Sequence, residues 1–259
     1  MGIINVNDDS FHRDSRANSI DSALHLAEKH ISGGATFIDL GASTSKPGSS
    51  ISNPDEEWER LSPVLKAVRL KFPEVYLSVD TYHSEVAQLA VSEGADLIND
   101  ISAGNLDSKM FETMATLKVP YVMMHMQGTP IDMQKNPHYE DVTQEVIAEL
   151  AAKARQLFQI GVSDIIVDPG FGFGKSLEHN YTLLHNMSEF IQIRLPVLVG
   201  VSRKSMVTRL LNIDSTAALN ATTALHMLAL QNGANILRVH DAHEAFEAIE
   251  VFEKYRSCG

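Results

Sequence analysis

The chain has 259 residues, 44% of them hydrophobic, with a formal net charge of −12 and a single cysteine, Cys258. This length and apolar content suit one large core, and the negative charge argues against nonspecific binding to nucleic acid or anionic membranes. One cysteine forms no internal disulfide, no apolar run reaches the ~18 residues of a membrane span, and no signal peptide opens the chain, so a soluble cytoplasmic protein is expected.

Short β-rich runs alternate with helical patterns along the whole chain. Strands are predicted at Gly2–Val6, Thr36–Leu40, Val75–Asp80, Asp96–Asp100, Tyr121–Met124, Asp164–Asp168, Val197–Val201 and Ile236–Val239. Between them, Val142, Val146 and Leu150 recur every four residues. Trp58, Leu61, Leu65 and Val68 line one face of a segment running from about Asp55 to Lys71. Gly33-Gly34, Gly94, Gly161 and Gly233 each follow a helical run and precede a strand, the place of a helix C-cap.

No linker-like stretch divides the sequence, so one domain over residues 1–259 is expected. Eight strands with interposed helices leave a closed barrel or an open doubly wound sheet. The strands end alike, in or beside polar residues: Asn5, Asp39, Asp80, Asn99-Asp100, His125, Asp168, Ser202-Arg203-Lys204, Arg238 and His240. That favours a single α/β (β/α)₈ TIM barrel, whose strand ends converge on one catalytic face. The plain alternative, that polar residues only mark loop starts, covers one or two strands, Asp39 among them.

Asp168 opens Asp168-Pro169-Gly170-Phe171-Gly172-Phe173-Gly174-Lys175. Its glycines permit close backbone approach to a ligand, and its phenylalanines offer flat apolar faces. The Gly172–Lys175 string is too short for a Walker sequence and carries little weight. Asp80, Asn99 and Asp168 together supply two carboxylates and an amide, which suit the adjacent N–H donors of a flat heterocycle with an amidine-like edge. Singly, Asp80 or Asn99 reads more readily as a helix N-cap.

After the seventh strand, Ser202-Arg203-Lys204-Ser205 places two cations and two hydroxyls. Arg238 and His240, two residues apart, share a face after the eighth, where barrels commonly bind phosphate. The pair reads as an oxyanion clamp, against an alternative of surface ion pairs with Asp241 and Glu244. No cysteine pair or HExxH spacing is present, and a lone Asn5 suits one loosely held Mg²⁺ shared with a diphosphate.

Taken in order, Met1-Gly2-Ile3-Ile4-Asn5-Val6 with Asp9-Ser10-Phe11, Ser78-Val79-Asp80-Thr81, Ile98-Asn99-Asp100, Met124-His125-Met126-Gln127-Gly128, Asp168 through Lys175, Ser202-Arg203-Lys204-Ser205 and Arg238-Val239-His240-Asp241 resemble the dihydropteroate synthase family. The resemblance implies condensation of a pterin diphosphate with p-aminobenzoate, with loss of pyrophosphate, in a homodimeric enzyme. It implies that Asp80, Asn99, Asp168 and Lys204 hold the pterin, and that Asn5, Arg238 and His240 handle the diphosphate and Mg²⁺. Ser45, with Lys46 beside it in the second loop, would lie near both substrates. Pro47, Phe173, Ser205 and the stem of Lys204 would form the p-aminobenzoate pocket. The expected catalytic group is Lys204, Asp80, Arg238 and His240.

The chain departs from the family in two loops. Asn7-Asp8 replaces the usual Thr-Pro, Arg13-Asp14 a glycine pair, and Thr44-Ser45-Lys46-Pro47-Gly48 the usual Ser-Thr-Arg-Pro-Gly. Two rivals remain at this point. One is a methyltetrahydrofolate-dependent methyltransferase, a barrel with no need of the Arg238/His240 pair. The other is a non-enzymatic pterin-binding homologue disabled by its altered loops.

Overall fold

The computed structural model describes residues 1–6, 13–43 and 53–258, with residues 13–19 described by backbone alone. The predicted sites Ser45, Lys46 and Pro47, and the altered positions Asn7 and Asp8, lie outside the described residues.

Strands and helices alternate: β1 (Gly2–Asn5), α1 (Arg13–Ser32), β2 (Phe37–Gly41), α2 (Pro54–Lys71), β3 (Tyr76–Asp80), α3 (Ser84–Ser92), β4 (Leu97–Asp100), α4 (Met110–Leu117), β5 (Tyr121–Met124), α5 (Val142–Gln159), β6 (Ile165–Asp168), α6 (Leu177–His185), β7 (Leu198–Val199), α7 (Ser205–Leu211), α8 (Leu219–Gln231), β8 (Ile236–Leu237) and α9 (Ala242–Arg256). Strands β1 to β6 pair in sequence order, all parallel, and β7 pairs with β8. Parallel bridges span both seams, Val167 to Val197 and Gly2 to Val239. At the second seam Ile3 N donates to Val239 O at 2.9 Å, and Val239 N donates to Met1 O at 2.9 Å. The eight strands thus form the ring of an α/β TIM barrel, as expected from the sequence.

The last two strands are shorter than predicted, at two residues each. Part of the reason is local: the Asn235 side chain accepts the Val197 backbone N–H at 2.9 Å, taking a donor from the ladder. In the same way Asp96 accepts from Leu77 N at 2.7 Å, and β4 begins one residue later than predicted.

Strand periodicity positions the site. Every second residue faces the helices, and Ile38, Leu40, Leu77, Val79, Ile98, Tyr121, Met123, Ile165 and Val167 join the main core there. The opposite phase fills the barrel. At its N-terminal end Met1, Leu97, Val122 and Leu198 cluster with Phe37, Ile166 and Ile236. Two residues further along several of these strands, the same phase turns polar: Asp39, Asn99, Asp168 and Arg238. An apolar plug therefore carries a polar layer at the C-terminal mouth.

Candidate active site

That polar layer is organised around Asp39, which is fully buried. Asp39 Oδ1 accepts from Ser78 Oγ at 2.5 Å, and Oδ2 accepts from Asn99 Nδ2 at 3.3 Å and from Arg238 Nε at 2.6 Å. Arg238 Nη2 also donates to Asp80 Oδ2 at 2.7 Å. One guanidinium is thus shared by two carboxylates contributed by adjacent strands. Asp39 is not a loop start: β2 runs on through Gly41, and register sets Asp39 directly beside Ser78. Sequence reading assigned it no role. The available signal was the polar phase that it shares with Asn99 and Asp168.

Burial raises the Asp80 pKa; Arg238 opposes this and Asp39 adds to it. One cation here serves two carboxylates, so neither is fully compensated. Asp168 is buried and is raised too, by burial first, with Lys204 and its Gly170 N hydrogen bond at 2.7 Å opposing. Lys204 reaches across to donate to Phe171 O at 2.7 Å and lies 4.8 Å from the Phe173 ring centroid. Burial lowers it to about 8, with Asp168 opposing, which leaves it largely cationic at neutral pH.

The Asp168–Lys175 loop needs its glycines. Gly170 has φ +72°, and a Cβ there would fall 1.9 Å from His125 O; Gly174 has φ +63°, with Gln127 O at 2.4 Å. Lys175 closes the loop and is itself buried. Its Nζ contacts His125 Nδ1 at 2.9 Å and donates to Gly170 O at 3.0 Å and Phe173 O at 3.1 Å. Burial pushes this lysine down to about 7, with Asp168 opposing. The sequence reading gave Lys175 little weight.

The Ser202–Ser205 cluster divides on inspection. Arg203, at φ +55°, makes a two-pronged pair with Asp241, both contacts 2.8 Å. Asp241, the partner that the ion-pair alternative offered to Arg238 and His240, is thus taken by Arg203, whereas Arg238 pairs inward with Asp39 and Asp80. His240 Nδ1 lies 3.1 Å from Ser202 Oγ. Surrounding protein, and then the Arg238 charge, push the imidazolium pKa down to about 4. The ring is exposed at the mouth, where water screens part of this effect. His240 then contributes a hydrogen-bonding imidazole, where the clamp reading leaned on a second positive charge.

A cavity of about 340 Å³ gathers Asn5, Asp80, Phe173, Lys204, Ser205, Arg238 and His240 on its walls. Asn99 and Asp168 are buried near these walls and linked to them, Asn99 through Asp39 to Arg238, and Asp168 through its charge interaction with Lys204. Asn5 is exposed at the end of β1. Among the described residues no three His, Cys, Asp or Glu side chains group to hold a metal. Asn5 offers one side-chain amide oxygen to the cavity.

A parallel barrel whose mouth combines buried carboxylates, an amide and three cations defines a barrel enzyme for a flat, donor-rich ligand bearing an anionic group. Residues 1–240 match the pterin binding enzyme family. The chain is 43% identical over 243 residues to a dihydropteroate synthase of Haemophilus influenzae, covering 93% of this chain and 88% of that one. A crystal structure of the Yersinia pestis dihydropteroate synthase with a sulfonamide drug superposes with a TM-score of 0.93 at 40% identity, covering 99% of this chain and 94% of that one. The Xanthomonas albilineans dihydropteroate synthase with 4-aminobenzoic acid gives 0.90 at 34%, covering 99% and 92%. The chain belongs to the dihydropteroate synthase family.

Proposed function

We propose that this protein is a transferase of folate biosynthesis, condensing 6-hydroxymethyl-7,8-dihydropterin diphosphate with p-aminobenzoate to give 7,8-dihydropteroate and pyrophosphate. The observation that carries this reading is the single mouth where Asp39, Asp80, Asn99 and Asp168 meet Arg238 and Lys204.

In this reading Asp168, Asn99 and Asp80 accept and orient the pterin's N–H edge, and Lys204 faces its carbonyl side. Arg238 and His240 receive the diphosphate, with Ser205 and Phe173 beside the aniline. Ser45, Lys46 and Pro47 are assigned to the second loop by resemblance. The C–O bond to the diphosphate breaks and its electron pair leaves with pyrophosphate. The aniline nitrogen then bonds to the pterin methylene and gives its proton to solvent. Asp80 and the Phe173 ring stabilise the cationic methylene, and preorganised positive charge stabilises the departing oxygen. A Mg²⁺ held by Asn5 and the diphosphate would add charge neutralisation at the leaving group.

Arg238 is occupied by two carboxylates, so the pterin's donors must compete for Asp80 as they bind. That exchange would turn the guanidinium toward the diphosphate. We also propose a cytoplasmic homodimer. Leu210, Leu211 and Leu228 are exposed apolar side chains available for a self-interface, and among the described residues no helix is long and apolar enough to cross a membrane.

The test is pyrophosphate release from the pterin diphosphate. Turnover that requires p-aminobenzoate supports the reading; p-aminobenzoate binding without release would mean a non-enzymatic homologue.

A further inference from the structure

Lys175 is 2% exposed, one of the largest fully buried side chains. It has no direct carboxylate partner among its hydrogen bonds: an imidazole nitrogen and two backbone carbonyls surround Nζ. A buried ammonium with neutral acceptors is expensive, and an apolar side chain of similar length would pack there at lower cost.

The protonation state follows from counting donors. His125 Nε2 lies 3.3 Å from Glu149 Oε2, so that ring nitrogen carries the proton and Nδ1 is left as acceptor. Lys175 then faces three acceptors and needs three N–H donors, which only the ammonium has. Glu149, held down to about 2 by its His125 hydrogen bond, stays ionised behind the ring. Glu149 also pairs with Lys153 at 3.3 Å, and Lys153 donates to Ala103 O at 2.9 Å. The line Lys175–His125–Glu149–Lys153 thereby ties together the loops that follow β4, β5 and β6.

Lys175 reaches Asp168 through the loop: Nζ donates to Gly170 O at 3.0 Å, and Gly170 N donates to Asp168 Oδ1 at 2.7 Å. Lys204, Arg238 and, least of the three, Lys175 act on that carboxylate through their charge. The first two line the cavity and belong to the ligand-handling set. Lys175 does not line it.

We propose that Lys175 is a positioning residue of the pterin site, a buried cation bonded to Gly170, which in turn bonds Asp168, and that it holds the Gly170–Gly174 loop so that Phe171 O meets Lys204 and Phe173 faces the aniline. The proposal rests on the pterin reading given above. It makes pterin affinity depend on the charge of a residue whose own hydrogen bonds go to an imidazole and two loop carbonyls.

The test is calorimetric binding of the unphosphorylated pterin alcohol to wild type, Lys175→Met and Lys175→Arg, from about pH 7.5 down to about pH 5.5. Losing one nearby cation raises a carboxyl pKa by about one unit, so Lys175→Met should lose affinity progressively as pH falls, about tenfold more at the acid end than at the neutral end. Lys175→Arg, charged throughout, should match the wild type at the acid end, where Lys175 is also an ammonium. A Lys175→Met protein that is weaker by the same factor at every pH, or not weaker at all, overturns the charge role. Should Lys175→Met not fold, Lys175→Gln, which keeps N–H donors without the charge, is read over the same pH range against the same two outcomes. A wild-type protein that binds no pterin at any pH would instead overturn the reading of the site.

Discussion

Replacing Asp39 with asparagine removes a charge that no solvent sees. Asp39 Oδ1 serves Ser78, while Oδ2 serves both Asn99 and Arg238. In Asp39→Asn one of these positions becomes an NH₂ facing a donor. Removing one partner of a buried ion pair costs about 3–5 kcal/mol when the other is left uncompensated. Arg238 keeps Asp80 at 2.7 Å, so part of its charge stays paired. We therefore expect a loss of about 2–4 kcal/mol, read from urea unfolding at unchanged m-value. With Asp39 neutral, Asp80 also loses a repelling neighbour and its pKa falls back toward the usual carboxylate range. Arg238, held by Asp80 alone, should be harder for the pterin to release, so kcat/KM should fall further than stability alone explains. An Asp39→Asn protein within about 0.5 kcal/mol of wild type and fully active would refute the role of Asp39 as hub.

Gly170→Ala should cost more than about 3 kcal/mol or abolish folding of the loop, because left-handed strain adds to a Cβ placed 1.9 Å from His125 O; ordinary thermal stability would contradict the backbone geometry. His226 is buried on α8 with no hydrogen-bond partner for either ring nitrogen among the described residues, and burial lowers it from 6.5 to about 4. Between those values the unfolded chain binds the extra proton, so stability present above about pH 6.5 is lost as pH falls toward 4, by up to about 3 kcal/mol. His226→Leu should flatten that acid limb in thermal melts, and unchanged pH slopes would rule the residue out. In the altered loops, Asp8 adds a negative charge where p-aminobenzoate and diphosphate are anionic, and Lys46 lacks a planar fork. Asn7→Thr/Asp8→Pro with Lys46→Arg should lower both KM for p-aminobenzoate and the inhibition constant of a sulfonamide; no change in either would make the substitutions neutral.

The barrel was readable because its strands alternate in phase and end in polar residues at regular intervals. The start of β7 was not, because Asn235 captures the Val197 backbone donor through its side chain, and such local capture leaves no periodic signature. Asp168, Asn99, Lys204 and Arg238 stood out by residue type at strand ends. Their partners did not. Arg238 and Asp39 lie 199 residues apart in sequence, and Arg203 and Asp241 lie 38 apart. Nothing in a linear pattern tells which arginine turns inward and which pairs at the rim. Lys175 stands out in sequence only as the end of an incomplete Walker string, and the closed loop is what shows it buried.

The most direct measurement is a calorimetric titration of the pterin alcohol into the wild-type protein and into Asp168→Asn, a change that preserves size and turns one acceptor into a donor. The account predicts stoichiometric binding to the wild type and a loss of at least about 2 kcal/mol in the variant, the scale of a charge-assisted bond plus an unsatisfied group. Equal affinity for the two proteins would remove Asp168 from the site and contradict the pterin-binding mouth built around it.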